Sequence, residues 1–291
     1  EQARDAFKRL VDEEAGDFAA WEGLRAASEK IGDHTTAGIA LARLGNACKD
    51  DALAGELWER AGLTLLEHTE AHDDAEIAFQ RALDRAPERP VAFDKLFRRV
   101  RSRNDDDRML ALIAHRLKVT EDAAEMTKMY WERARVQRRQ GHQDEALQSL
   151  QDVTMLEPDH VGALALAGEI RITSGEFEEA APLLARLARL AEAPKQQRLM
   201  SGVAAADLFQ KRLRKPEAAL EVLLQLHADG LSTLKVRERL AQTAAKIQNW
   251  PEAVKMFERL MTERGTPEGR AEAARLAMVI YRDKLETPER A

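Results

Sequence analysis

The sequence predicts an all-α fold, a solenoid of antiparallel helix hairpins, and three observations lead to it. Residues 127 to 194 carry one pattern twice: Gly141, Ala146, Leu150, Val153 and Pro158 recur 34 residues later as Gly175, Ala180, Leu184, Leu187 and Glu192, each pair but the last matched in type or size. A fixed period with a small residue in the first helix (Ala134, Gly168), a turn residue, and a small residue early in the second suits a helix-turn-helix repeat. Helix formers abound, aromatics make up 5% of the 291 residues, and no run of β-branched residues alternates, so strands are not expected. Finally, one anchor position of each second helix sets a register through the chain: Ala3, Ala37, Ala75, Met109, Ala146, Ala180, Ala219, Ala253 and Ala291.

Steps between anchors alternate between 34 and 37–39 residues, so the underlying unit is a pair of hairpins of 71 to 73 residues. One hairpin of each pair has a first helix about a turn longer, expected at 50–70, 121–140, 194–213 and 267–285. Trp58-Glu59-Arg60-Ala61 and Trp131-Glu132-Arg133-Ala134, 73 residues apart, mark two of them. The register predicts seven complete hairpins and two flanking half-units over residues 1–291, read as one continuous solenoid because each repeat packs only on its neighbours. Ala3, Phe7 and Leu10 make residues 1–14 a second helix without its first, and the chain stops on Ala291, so a piece of a longer protein, cut at both ends, is expected. At the joints, Pro216, Pro251 and Pro288 fall in first turns, where a missing N–H costs nothing. Asp33, Asp105 and Asn249 are natural N-caps, with Asp106 and Asp107 an acidic first turn, and Gly32, Gly141 and Gly175 suit the left-handed end of a first helix.

The stretches "RQGHQDEALQSLQDVTMLEPDH" and "TSGEFEEAAPLLARLARLAEAP" resemble the turn and second helix of the tetratricopeptide repeat (TPR) family, with its Gly, its Ala and, in the first, its closing Pro. The resemblance covers essentially the whole chain. It implies a right-handed superhelical solenoid, a habit of binding proteins, and a concave groove lined by first helices through repeat positions 2, 5, 9 and 12. Mapped onto this chain, those positions offer Asp94, Arg98 and Arg101 from one first helix and Lys128, Trp131, Arg135 and Arg138 from the next long one. Steps of 3, 4 and 3 put the last four on one side of a helix without any family argument. The family's best-known site, a clamp for a C-terminal carboxylate, uses groove Asn residues, whereas Asn46, Asn104 and Asn249 all fall in second helices or turns, which puts chaperone-tail binding in doubt.

Net charge is −6 with a pI near 5.8, which argues against nucleic acid or an anionic membrane as partner. Residues 95–139 reverse that balance, with 13 Lys/Arg against 7 Asp/Glu. Arginines clustered with an aromatic are typical of interface anchors, and the same strip also reads as a solvated face with Trp131 packed between hairpins. Trp21 and Trp250 are expected to pack. His68 and His72, four apart among acids, read as a solvated turn rather than a metal site. No phosphate loop, nucleophile elbow or Cys/His pattern occurs, so neither catalysis nor a cofactor or metal is expected. Cys48 reads as a buried small residue, fitting a reducing compartment or simply a bacterial chain poor in Cys, and no apolar run approaches the roughly 20 residues of a membrane span.

The leading expectation is therefore a soluble, cytoplasmic, non-enzymatic scaffold that recruits an acidic protein through Arg98, Arg101, Lys128, Trp131, Arg135 and Arg138. Its double period and T-P-E-R-A segment look like large bacterial TPR arrays, some of which organise polarity or motility by binding small GTPases. Two alternatives stand beside it: a single-stranded nucleic-acid reader, opposed by Glu22, Glu169 and Glu238 at the groove positions elsewhere, and the regulatory array of an enzyme whose catalytic domain lies outside this sequence.

Overall fold

The computed structural model describes residues 1–263 and 265–285, and these fall into two compact units, Glu1–His142 and Gln143–Ala291. Sixteen α-helices, one π-helical turn and no strand occur among the described residues. The first unit holds α1 (Gln2–Glu13), α2 (Phe18–Ile31), α3 (His34–Ala47), α4 (Asp51–His68), α5 (His72–Arg85), α6 (Pro90–Ser102), α7 (Asp106–Val119) and α8 (Ala123–Gln140). The second holds α9 (Gln143–Leu156), α10 (Val161–Thr173), α11 (Phe177–Arg189), α12 (Lys195–Asp207), α13 (Pro216–Ala228), α14 (Leu234–Lys246), α15 (Trp250–Glu263) and α16 (Pro267–Asp283).

Three of the four long helices stand where the double period puts them: α4 and α8 have 18 residues each and α16 has 17. The fourth, expected as one helix over 194–213, is α12 followed by a π-helical turn at Leu208–Arg212, closed by a bond from Leu213 N–H to the Leu208 carbonyl five residues back. Ala37, Ala75, Met109, Ala146, Ala180, Ala219 and Ala253 are all fully buried, as anchors must be. Ala3 is exposed, because no helix covers that side of α1, and Ala291 lies outside the described residues, as does Pro288.

Capping is local chemistry, and it follows the sequence. Asp33 accepts from Thr36 N–H at 3.1 Å, Asp105 from Arg108 N–H at 3.2 Å and Asn249 from Glu252 N–H at 3.4 Å. Gly32, Gly141 and Gly175 take φ of +78°, +84° and +79° after their helices. Asn104, Arg214 and Gln248 hold the same left-handed position in other hairpins, without glycine's freedom from Cβ strain. Trp21 and Trp250 pack as expected: Trp21 lies against the core residues Val11, Leu24 and Leu41 and donates from Nε1 to the Ala15 carbonyl at 2.9 Å, and Trp250 lies against the core of the second unit. Cys48 is half-buried against the Leu41 and Leu44 cluster.

Four glycines make the packing around α4 close. Gly38 and Gly45 of α3, one heptad apart, receive Leu65 and Trp58 of α4; Gly55 and Gly62 of α4 receive Ala86 and Phe79 from α5 and the turn after it. A Cβ on Gly62 would sit 2.7 Å from the Phe79 ring, which is fully buried and cannot retreat. In an open helix Gly→Ala gains about 0.5–1 kcal/mol. Gly62→Ala is expected to do the reverse, costing about 1–3 kcal/mol by overpacking, whereas Gly16→Ala, which meets no atom within 4 Å, should leave the melting temperature nearly unchanged. Thermal unfolding followed by circular dichroism checks the pair.

Candidate functional site

The predicted strip lies on α6 and α8, both in the first unit. Helix α6 begins with Pro90 at its first position, and its N-terminus is capped from outside: the buried Glu59 of α4 accepts from Ala92 N–H at 2.9 Å and from Arg89 at 2.7 Å. Phe93, Leu96, Phe97 and Val100 bury one face of α6, which turns Asp94, Arg98 and Arg101 toward solvent. On α8, Met129, Glu132 and Val136 are buried, Lys128 and Arg135 are exposed, and Trp131 and Arg138 are half-buried.

Within the strip the charges are partly answered. Arg98 pairs with Asp94 at 3.0 Å one turn back, while Arg101 and Arg135 converge on Glu132 at 3.5 and 3.2 Å. The Glu132 carboxylate thus joins α6 to α8 beneath two guanidinium groups. Side-chain exposures of 75% for Arg98, 52% for Arg101 and 42% for Arg135 leave all three open to a partner. Similar pairs tie the earlier first helices together, Arg60 to Glu29, Arg89 to Glu59 and Lys95 to Glu67.

Other arginines of residues 95–139 pair with carboxylates away from the strip. Arg99, Arg103 and Arg108 converge on the buried Glu76 of α5, and the first two also hold Asp73, whose carboxyl is kept below its usual range by Arg103 and then Arg99. Arg139 reaches back to Asp106 at the start of α7, where its hydrogen bond likewise depresses that carboxyl. Arg116 is buried, forks onto Glu125 at 2.7 and 3.0 Å, donates to the Glu88 carbonyl at 2.9 Å and lies 5.4 Å from the Phe93 ring centre. Arg103, Arg108 and Arg139 are as exposed as Arg135 but are held by carboxylates off the strip, so the strip itself is Arg98, Arg101, Lys128 and Arg135, with Trp131 and Arg138 beside it. Sequence reasoning used the two Trp-Glu-Arg-Ala segments only as markers of the period and missed that their glutamates, Glu59 and Glu132, are the buried groups that organise the arginines. A carboxylate recurring in the middle of two long helices was the available signal.

Elsewhere, His68 stacks on His34 with ring centres 4.1 Å apart, and His72 opens α5. Among the described residues no group of three or more His, Cys, Asp or Glu is placed to hold a metal ion, and no helix is long and apolar enough to cross a membrane.

Sequence models described as tetratricopeptide repeat match residues 37–90, 137–203 and 237–271. The chain belongs to the tetratricopeptide repeat family, whose repeats generally build non-catalytic scaffolds for protein partners. No curated protein sequence matches it. Among solved structures it is similar to the C-terminal part of a TPR repeat-containing protein from Cytophaga hutchinsonii, at 13% identity over 82% of this chain and 93% of that one with a TM-score of 0.45. It is also similar to a tetratricopeptide repeat protein from Parabacteroides merdae, at 14% identity, 94% and 99% coverage and a TM-score of 0.40. A third is MamA from Desulfovibrio magneticus, at 13% identity, 58% and 92% coverage and a TM-score of 0.36.

The Arg116–Glu125 fork yields a prediction about acid stability. Arg116 lowers the Glu125 carboxyl, with Thr120 adding a hydrogen bond, so the pair's contribution is complete above the ordinary Glu range near about 4.3 and fades as pH falls through the depressed value. Glu125→Gln leaves a buried guanidinium short of its partner and should cost about 1–2 kcal/mol at neutral pH, after allowing for the exposure of Glu125. Melting curves of the two proteins should converge below that range; a gap that stays constant with pH would contradict the assignment.

Proposed function

We propose that this chain is a non-enzymatic adaptor that recruits an acidic protein partner through the outward strip of α6 and α8. The observation that carries the reading is the set of Arg98, Arg101 and Arg135 on neighbouring helices, each only partly satisfied by carboxylates of its own chain and each still open to solvent. Lys128 extends the row, and the half-buried Trp131 and Arg138 supply an aromatic face and a further guanidinium beside it. A partner carboxylate can share the free N–H groups of these arginines while Glu132 and Asp94 keep their contacts, since a guanidinium has five donors and each pair here uses few of them. The reading places the protein in the cytoplasm, in keeping with one cysteine and a net negative charge. Resemblance to bacterial TPR arrays makes a small GTPase the first partner class to try.

The test is a triple charge reversal, Arg98→Glu with Arg101→Glu and Arg135→Glu, compared with wild type in affinity capture followed by mass spectrometry and then by titration of whatever partner is found. Affinity should fall by about two decades and wild-type binding should weaken with added salt. Because Arg101 and Arg135 also hold the buried Glu132, circular dichroism of the variant, and Arg98→Glu alone, which touches only the exposed Asp94 pair, separate lost binding from lost stability. Capture of the same partners at the same strength by the variant would overturn the assignment. Trp131→Ala adds a second reading: loss of binding at an unchanged melting temperature makes it an interface anchor, and a lowered melting temperature with binding intact makes it a packing residue.

A further inference from the structure

On another face of the first unit, α3 and α5 stand apart above α4 and leave an open cleft of about 620 Å³, within the range of small binding sites. Its floor is Trp58 and Leu65 of α4, the side chains received by Gly45 and Gly38. Small residues line much of the walls, and one isoleucine rises from each side, Ile39 from α3 at 48% exposure and Ile77 from α5 at 56%. Two large aliphatic side chains held open to water over an aromatic floor form an apolar patch in a chain that is 33% charged.

The two ends of the cleft differ in charge. Short turns make α4 antiparallel to both walls, as the contacts of Leu65 with Gly38 and Trp58 with Gly45 show, so α3 and α5 run in the same direction. Asp74 lines the cleft at the N-terminal end of the walls; Arg43, Asn46 and Arg81 line it further along. Among the described residues the side chains of Arg43 and Asn46 make no hydrogen bond or ion pair, that of Arg81 has only a long 3.8 Å pair with Asp84, and the Trp58 Nε1–H, at this same end, has no acceptor.

We propose that this cleft binds one amphipathic helix of a partner protein, of about three turns, laid antiparallel to α3 and α5. Its apolar face fills the space between Ile39 and Ile77 down to Trp58, its acidic first turn meets Arg43 and Arg81, and a basic last turn meets Asp74. A helix suits the walls better than a strand because α3 and α5 offer no open backbone edge, so an extended segment would bury unpaired N–H and C=O groups. The length follows from Thr35 to Asn46 along α3, about 16 Å at the helical rise. The direction follows from electrostatics: acids at the occupant's N-terminus and bases at its C-terminus favour its own helix and match the cleft's two ends at once. The site does not depend on the strip of α6 and α8.

The experiment uses the full chain and a fluorescein-labelled synthetic peptide of about three to four turns, with Glu in the first turn, Leu at i, i+3, i+4 and i+7, and Lys in the last turn. A second peptide exchanges the Glu and Lys turns, and a third replaces Leu by Ser. Anisotropy titration should show micromolar binding of the first peptide, much weaker binding of the second and none of the third. Ile77→Glu should weaken the first peptide by about tenfold or more. Arg43→Glu should weaken the first and strengthen the second, an exchange of preference that misfolding does not produce. The triple strip variant should bind the first peptide as wild type does. Absence of binding at millimolar protein, or indifference to both Ile77→Glu and Arg43→Glu, overturns the proposal. Loss of peptide binding in the strip variant alone would move the occupant to α6 and α8, and this inference would fall while the adaptor reading stood.

Discussion

A helical hairpin of some thirty residues has too little interior to stay folded alone, so each one depends on how closely the next can cover its apolar side. Around α4 that closeness is set by residues that have almost nothing beyond the backbone. Gly38, Gly45, Gly55 and Gly62 open space at heptad intervals, and Leu65, Trp58, Ala86 and Phe79 fill it from the facing segment. The buried anchors, Ala37 through Ala253, serve the same end along the chain: at a helix contact a small side chain lets a large one from the neighbour lie flat against the backbone. Gly168 under Leu184 and Gly202 under Leu226 repeat the arrangement in the second unit.

Close packing of helices also decides what the charges can do. A carboxylate caught near a helix contact needs a partner, and Glu59, Glu76 and Glu132 find theirs in arginines of adjacent helices. The outcome is a molecule in which arginine serves two purposes. Arg99, Arg103, Arg108 and Arg116 brace helix to helix on carboxylates away from the strip, whereas Arg98, Arg101 and Arg135 stand on it. Truncating a bracing arginine and an outward one are therefore different experiments, although the sequence prints the same letter.

Two surfaces of the first unit follow from this architecture, and they differ in chemistry. The strip on α6 and α8, which we propose meets an acidic partner, is mostly electrostatic, and such an encounter would be fast and salt-sensitive. The cleft between α3 and α5 is apolar at its floor and charged at its ends, so burial supplies affinity there and the ends set direction. Under the two proposals, one unit would hold two segments by unlike forces.

The sequence by itself determined the helices, three of the four long ones among them, the anchor register and the caps. The caps depend on residues within a turn or two of each other, as Asp33 caps the helix it precedes and Gly141 ends the helix it follows, and the anchor register puts Ala146 on the apolar side of its helix. The strip was legible as a row of residues on a face, since spacing along one helix fixes direction. Its electrostatics were not, because Arg101 meets Glu132 and Arg103 meets Glu76 across 31 and 27 residues of chain, and a long guanidinium side chain can reach several acids that the sequence lists without ranking. The π-helical turn after α12 and the left-handed Arg214 and Gln248 were likewise invisible, there being no glycine or proline to announce them. Only the tertiary structure decided the cleft, because it is the space that α3 and α5, which are not consecutive, leave above the helix between them. Periodicity places each side chain on its own helix, but the gap between two helices is set by the packing of both on a third.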